Sequence, residues 1–310
     1  MNDDLFPSRS HCRFCQAWSA LSTDAPALPE RRLFGRALLA AGAATALPAA
    51  AQGVAKDVGS TSMFTKLVSA EQIEAAAAKQ YAQMLAEARS KGSLGPDEHP
   101  QVKRLRAISQ RIVPHARPWN PRAAQWRWEV NLLGSKQLNA FCMPGGKIAF
   151  FSGILQQLQL EDAEVAAIMG HEAAHALREH ARERVGKSSA TSIGLSLGAQ
   201  LLGLGSLGDA AANLGTQLLT LKFSRDDETE ADLVGMELAA RAGYDPAAGV
   251  SLWEKMQQAS KGAPPQWMST HPSSSSRIAE IREKLPKVQP LYARSDKPRE
   301  RYAPMPRSGG

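Results

Sequence analysis

The sequence predicts an α+β fold, mainly helical, with a small β-sheet lying beside one central helix. Three observations carry this. The run Glu161 to Arg184 is rich in alanine, free of proline, acidic at its start and basic at its end, as the helix macrodipole favours. Two further stretches, Ser69 to Lys91 and Gln101 to Val113, have helical composition or spacing, with Val102, Leu105, Ile108 and Ile112 on one face. Three short runs, Trp126 to Leu132, Asn139 to Met143 and Lys147 to Phe151, read as strands, the last two joined by a Pro144-Gly145-Gly146 turn. At 310 residues the chain has ample apolar content for a core.

In order along the chain, the first thirty residues are polar and irregular. Arg31, Arg32 and Arg36 then precede an uncharged run, Ala37 to Ala51, ending in Ala49-Ala50-Ala51. A basic region, a short apolar region and small residues at a cleavage point are the parts of an export signal, so residues 1–51 are expected to be removed. The Arg31-Arg32-x-Phe34 pattern is of the twin-arginine type, whereas Glu30 in front of it leaves the ordinary secretory route open. The alternative is a short anchoring helix, although the run is too short to span a bilayer comfortably. Cys12 and Cys15 lie within that signal; a lone Cys-x-x-Cys reads as redox-active or metal-binding, and no second pair is there to complete a four-cysteine zinc site. Residues 52–94 then form an N-terminal helical segment, with Ser69 as N-cap and Gly92 as stop, and residues 95–285 form the main domain. Gly153 to Leu160 begins a helix before the central one. Ser188 to Leu221 carries Asp209 as its only charge and reads as a glycine-interrupted helical hairpin that packs on the domain or touches lipid. Later helices are expected from about Glu228 to Ala242, Pro246 to Lys261 and Ser273 to Leu285. Residues 286–310 are basic, rich in proline and without periodicity, and read as a flexible tail.

The chemistry is concentrated in the central helix, at His171-Glu172-Ala173-Ala174-His175. Residues four apart on a helix differ by about 40° around its axis, so His171 and His175 project from one face, one turn apart. Two imidazoles so placed can meet one tetrahedral Zn²⁺. Glu172 lies about 100° round from His171, close to the metal but turned from direct ligation, where a base for an attacking water belongs. His-Glu-x-x-His is a metalloprotease signature; the bland reading is a surface helix with two incidental histidines. For a third ligand, His180 lies five residues after His175, about 140° away on a continuous helix, and is set aside. Arg178 and Ala181 stand where another zinc-protease arrangement needs a glycine and a histidine. Glu228 is left, with Asp232 one turn later able to accept from a ligand histidine and fix its tautomer. A solvated acidic face is the alternative for both.

These elements together, with Ser224 to Asp232, with His271-Pro272 followed by Arg277, and with Asn139-Ala140-Phe141-Cys142-Met143-Pro144-Gly145-Gly146, resemble the gluzincin family of HtpX-, BepA- and Oma-type endopeptidases. The resemblance covers about Lys103 to Leu285. It implies a zincin fold and one Zn²⁺ per chain held by His171, His175 and Glu228, with Glu172 as catalytic base and Asp232 supporting a ligand. It also implies that His271 and Arg277 face the cleft and donate hydrogen bonds to the oxyanion. Asn139 then either hydrogen-bonds an extended substrate or is a turn residue. The resemblance implies protein substrates, misfolded or stalled envelope and outer-membrane proteins, met in the periplasm. A zinc-containing client-binding module with little turnover is the alternative. The net charge of +7 favours contact with anionic lipid, and no nucleic-acid module accompanies it.

Overall fold

A computed structural model describes residues 53–190, 218, 221–260, 266–271 and 275–307. The expected signal, both of its cysteines and most of the Ser188 to Leu221 segment lie outside the described residues. Among the described residues no helix is long and apolar enough to cross a membrane.

Helix α1, Ala70–Ser90, opens on Ser69, whose hydroxyl accepts from the Gln72 amide at 3.3 Å. Its buried residues Ala77, Tyr81 and Leu85 pack on the sheet, where Tyr81 donates to the Ile148 carbonyl, while Ile73 and Ala76 pack with Val68 and Val185. Helix α2, Pro100–Ile112, has Pro100 in its first turn, where the missing amide costs nothing, and buries the four apolar positions expected of it. It also buries Arg104 completely, which the apolar pattern does not reveal. That guanidinium binds Asp162 Oδ1 at 2.6 Å and the Leu160 carbonyl at 2.6 Å, so α2 is fastened to the start of the central helix by a charge with its donors satisfied.

The sheet has three strands in the order β1-β3-β2, comprising β1 (Glu129–Leu133), β2 (Ala140–Met143) and β3 (Lys147–Phe151). β1 and β3 are parallel, with Val130 opposite Ile148; β2 and β3 form an antiparallel hairpin, with Phe141 opposite Ala149. Its turn needs glycine at Gly146, where φ is +77° and a Cβ would lie 2.7 Å from the Trp128 ring. β1 begins three residues later than the alternation suggests; ahead of it Trp126 and Trp128 meet at a tilt, with ring centroids 5.3 Å apart. β2 is an outer strand of this sheet.

Helix α3, Ser152–Leu158, leads into the central helix α4, Asp162–Leu177, which starts with a Glu161/Glu164 capping box. The uninterrupted run expected to Arg184 is broken. Arg178 and Glu179 form a bend in which Glu179 takes a left-handed φ of +59°, and α5, His180–Ala190, leaves in a new direction. Helix α6, Arg225–Arg241, crosses α4 with the two backbones in contact. A Cβ on Gly170 would lie 2.7 Å from the Gly235 carbonyl oxygen, and one on Gly235 would lie 2.6 Å from the His171 nitrogen. Two glycines thus set the spacing between the His171 helix and the Glu228 helix. Helices α7 (Ala248–Ala259), α8 (Gln266–Thr270) and α9 (Ser275–Arg294) complete the body.

The flexible tail expected from residue 286 is corrected by the structure. Helix α9 continues through Pro286 and Pro290 to Arg294, burying Val288 and Leu291 in the main core. Proline inside a helix costs about 3 kcal/mol, and burial of these side chains offsets it where the local pattern alone predicts a stop. Residues beyond the helix return to the body: the Tyr302 amide donates to Asp162 Oδ2 at 3.0 Å, and Gln101 donates to the Ala303 carbonyl at 3.0 Å.

Candidate metal centre

The α4–α6 crossing brings His171, His175 and Glu228 together, and α8 ends on His271 beside them. One ligand atom from each of these four buried residues lies within 4.8 Å of the other three. His171 Nε2 is 3.1 Å from His175 Nε2 and 3.3 Å from His271 Nδ1, and His271 Nδ1 is 2.9 Å from Glu228 Oε1.

The outer nitrogens define the inner ones. His171 Nδ1–H donates to Asp232 Oδ1 at 2.9 Å, which leaves a lone pair on Nε2 of the neutral ring. His180 Nε2–H donates to Glu230 Oε2 at 2.7 Å; with a single proton on that ring its Nδ1 is an acceptor, and His175 Nδ1, 2.9 Å away, is then the donor to it. His175 Nε2 therefore also carries a bare lone pair. Two imidazole lone pairs face one another at 3.1 Å in a buried site beside a carboxylate, an arrangement that a bound cation relieves. Two imidazoles and a carboxylate are a zinc donor set, so the residues present fit that metal.

The charges agree. Burial lowers the affinity of His175 for a proton and the neighbouring His171 and His271 reinforce this, holding it well below the usual histidine range and neutral. Burial works to raise the Asp232 carboxyl, but Arg277 and His171 outweigh it and hold it down at about 2. Glu228 is likewise depressed, His271 and Arg277 outweighing its burial. Burial disfavours charge on His271, yet the Glu172 and Glu228 carboxylates raise its pKa.

Arg277 does not reach the cleft as expected for an oxyanion donor. Its guanidinium is buried, pairs with Asp232 through Nε and Nη2, lies 2.6 Å from Glu228 Oε2 through Nη1, and stacks on Trp253 at 3.8 Å. Two buried carboxylates on one helix require a buried cation, and α9 delivers it. His271 lies among the ligand atoms, with Nε2 3.5 Å from Glu172 Oε1. Glu172 is held by the Trp267 indole N–H at 2.5 Å.

The cleft beside this centre runs between α4 and the outer strand β2. It is lined by Asn139, Ala140 and Phe141, by Glu172, His175 and His271, and by Leu218, Leu221 and Phe223. Asn139 is half-buried there and its carbonyl accepts from the Phe151 amide at 3.0 Å. Phe223 stacks on His175 with centroids 3.9 Å apart. Cys142 is a free buried thiol whose pKa is pushed up by burial and by nearby Glu172.

The chain matches the model of peptidase family M48 over residues 99–285. The chain belongs to peptidase family M48. The M48 match takes in both histidines of α4, Glu228, Asp232, His271 and Arg277. This M48 chain is 37% identical over 204 residues to the mitochondrial metalloendopeptidase OMA1 of Schizosaccharomyces pombe, covering 65% of this chain and 58% of the relative. It is 32% identical over 215 residues to the Saccharomyces cerevisiae protein of the same name, covering 65% and 61%. It is 27% identical over 201 residues to the beta-barrel assembly-enhancing protease of Escherichia coli, covering 62% and 40%. The chain thus spans less than two thirds of the length of these relatives.

Sequence reasoning did not single out Trp267, Phe223 or Glu230, and it set His180 aside. Trp267 and Phe223 lie far along the chain from the residues they touch. His180 is a different case: a histidine five residues after His175 is visible in the sequence, and only the assumption of an unbroken helix turned it away.

Proposed function

We propose that this protein is a zinc-dependent endopeptidase that cleaves internal peptide bonds of protein substrates. The observation that carries this is the convergence of His171, His175 and Glu228, beside Glu172, at a cleft bordered by the outer strand. Zinc bound there supplies a Lewis acid that lowers the pKa of water and polarises the scissile carbonyl. A substrate segment lying extended along β2 adds a strand to the sheet, with Asn139 at the start of that edge. Glu172, oriented by Trp267, accepts the proton of the attacking water and returns it to the leaving amine. Asp232 fixes the tautomer of His171, and Arg277 keeps both Asp232 and Glu228 ionised and in place.

His271 stands where a catalytic centre leaves room for water, so the arrangement described is a resting one and His271 withdraws for turnover. From the withdrawn position its imidazole donates to the oxyanion. The export-signal features of residues 1–51 support a periplasmic location, and the likeness to the beta-barrel assembly-enhancing protease of Escherichia coli supports envelope proteins, misfolded or stalled, as substrates. N-terminal sequencing of the exported chain checks this: cleavage near Ala51 supports it, and an intact cytoplasmic chain overturns it.

The deciding experiment measures zinc content and casein cleavage for the protein beside its Glu172→Gln variant. One zinc in each, with cleavage by the native protein alone, is expected. If both bind zinc and neither cleaves, even after His271→Ala, the client-binding reading replaces this one.

A further inference from the structure

A buried chain of polar contacts runs outward from the metal centre, and no part of it touches the cleft's substrate edge. His175 Nδ1 meets His180 Nδ1 at 2.9 Å, His180 Nε2 meets Glu230 Oε2 at 2.7 Å, and Glu230 Oε1 lies 2.8 Å from Arg178 Nη2. The same Arg178 nitrogen donates to the Gly59 carbonyl at 2.5 Å. His180 is 1% exposed. It reaches His175 only because the chain bends between α4 and α5 with Glu179 in a left-handed conformation, which a residue other than glycine adopts at a cost of about 1 kcal/mol or more. A strained bend that re-aims a buried histidine onto the outer nitrogen of a metal ligand is a placement that sequence spacing on a straight helix would forbid.

We propose that His180 is a positioning residue for the metal, setting the tautomer and ring orientation of His175 from behind. The logic is one of proton placement. Two facing Nδ1 atoms share one proton, so one ring donates and the other accepts. Glu230 accepts from His180 at Nε2, and with that one proton on the ring His180 Nδ1 is the acceptor. His175 must then keep its proton on Nδ1 and expose Nε2, the nitrogen that lies 3.1 Å from His171 Nε2. His171 is served differently, by a carboxylate directly. The centre thus has two unlike supports: Asp232 behind His171, and an imidazole backed by Glu230 and Arg178 behind His175. The segment around Gly59 anchors the outer end, tying the residues before α1 to the metal helix.

The inference rests on the reading of His171, His175 and Glu228 as metal ligands, and its test separates the two. Zinc affinity of the metal-stripped full chain is measured by competition with a chromophoric chelator, for the native protein, His180→Gln and His180→Asn. Asparagine can place a carbonyl acceptor near the lost Nδ1, whereas glutamine carries its amide further out, toward Glu230. The expected result is a loss of affinity of about 10-fold or more for His180→Gln and recovery of most of it in His180→Asn, in the range found for partners of ligand histidines. Equal affinity in native protein and His180→Gln, with both variants folded by circular dichroism, overturns the proposal, as does equal loss in both variants. A native protein that binds no zinc instead defeats the metal reading. The relay is then judged, as it is if the variants do not fold, by ring ¹⁵N shifts of the native chain. Protonated Nδ1 on His175 and protonated Nε2 on His180 are expected; protonated Nε2 on His175 overturns the proposal.

Discussion

The α4–α6 crossing makes the sharpest prediction about how this fold builds its metal centre, tested by Gly235→Ala. The new Cβ would lie 2.6 Å from the His171 nitrogen and 2.9 Å from the Gly170 carbonyl carbon, both backbone atoms within a helix that cannot rotate aside. Ordinary contact needs about 3.4 Å or more, so α6 must retreat by ~1 Å. The same retreat would carry Asp232 from 2.9 Å to about 4 Å from His171 Nδ1, beyond hydrogen-bonding distance, and would withdraw Glu228 from the other ligands. Alanine's better helix propensity returns about 1 kcal/mol, whereas overpacking costs about 1–3 kcal/mol and the loosened buried ion pairs add to it. The net expectation is a loss of roughly 2 kcal/mol, with melting lowered by ~4–8 °C for a domain of this size, and a zinc affinity at least tenfold weaker. Calorimetric melting of the metal-free protein and chelator competition read the two effects. Gly249→Ala is the control, since its Cβ would meet only Ile281 Cγ2 at 3.8 Å, and it is expected to leave both readouts near native. If Gly235→Ala also melts and binds zinc like the native protein, backbone contact at this crossing does not set the ligand spacing.

Replacing Glu172 by Gln is expected to reduce casein cleavage by 10²-fold or more with zinc content unchanged, the loss typical of a general base. Arg277→Met removes the cation from between Asp232 and Glu228 and is expected to cost about 3–5 kcal/mol, read by urea unfolding of the metal-free protein. Asp232 also sets a pH dependence. Its carboxyl falls from 3.8 to about 2 on folding, so its contribution is fully present above about pH 4 and is lost as pH falls through 2. Urea midpoints of the metal-free native protein should therefore decline from pH 4 to 2, and a flat profile refutes the pairing. Leu291→Ala is expected to cost about 2–3 kcal/mol, because this side chain is buried in the main core; no change in the urea midpoint means that α9 does not pack beyond Leu285.

The sequence by itself determined the helical character of this protein and the placing of His171, His175 and the acid between them on one turn of α4, because those depend on residues four or fewer apart on one helix. It also determined the strand–turn–strand around Gly145 and Gly146, where local backbone freedom decides the form. What it left open was whether Glu228 belongs to a solvated acidic face or a metal centre. The crossing of α4 and α6 at Gly170 and Gly235 buries Glu228 beside His171 and His175, by bringing together residues more than fifty positions apart. The part played by Arg277 was decided in the same way: its chemistry suggested an oxyanion donor, and tertiary packing committed it to two carboxylates. The extension of α9 through two prolines and the turning of His180 toward His175 ran against local rules. Local propensities are worth about a kilocalorie per residue, or about three for proline, and buried contacts between distant segments are large enough to outweigh them.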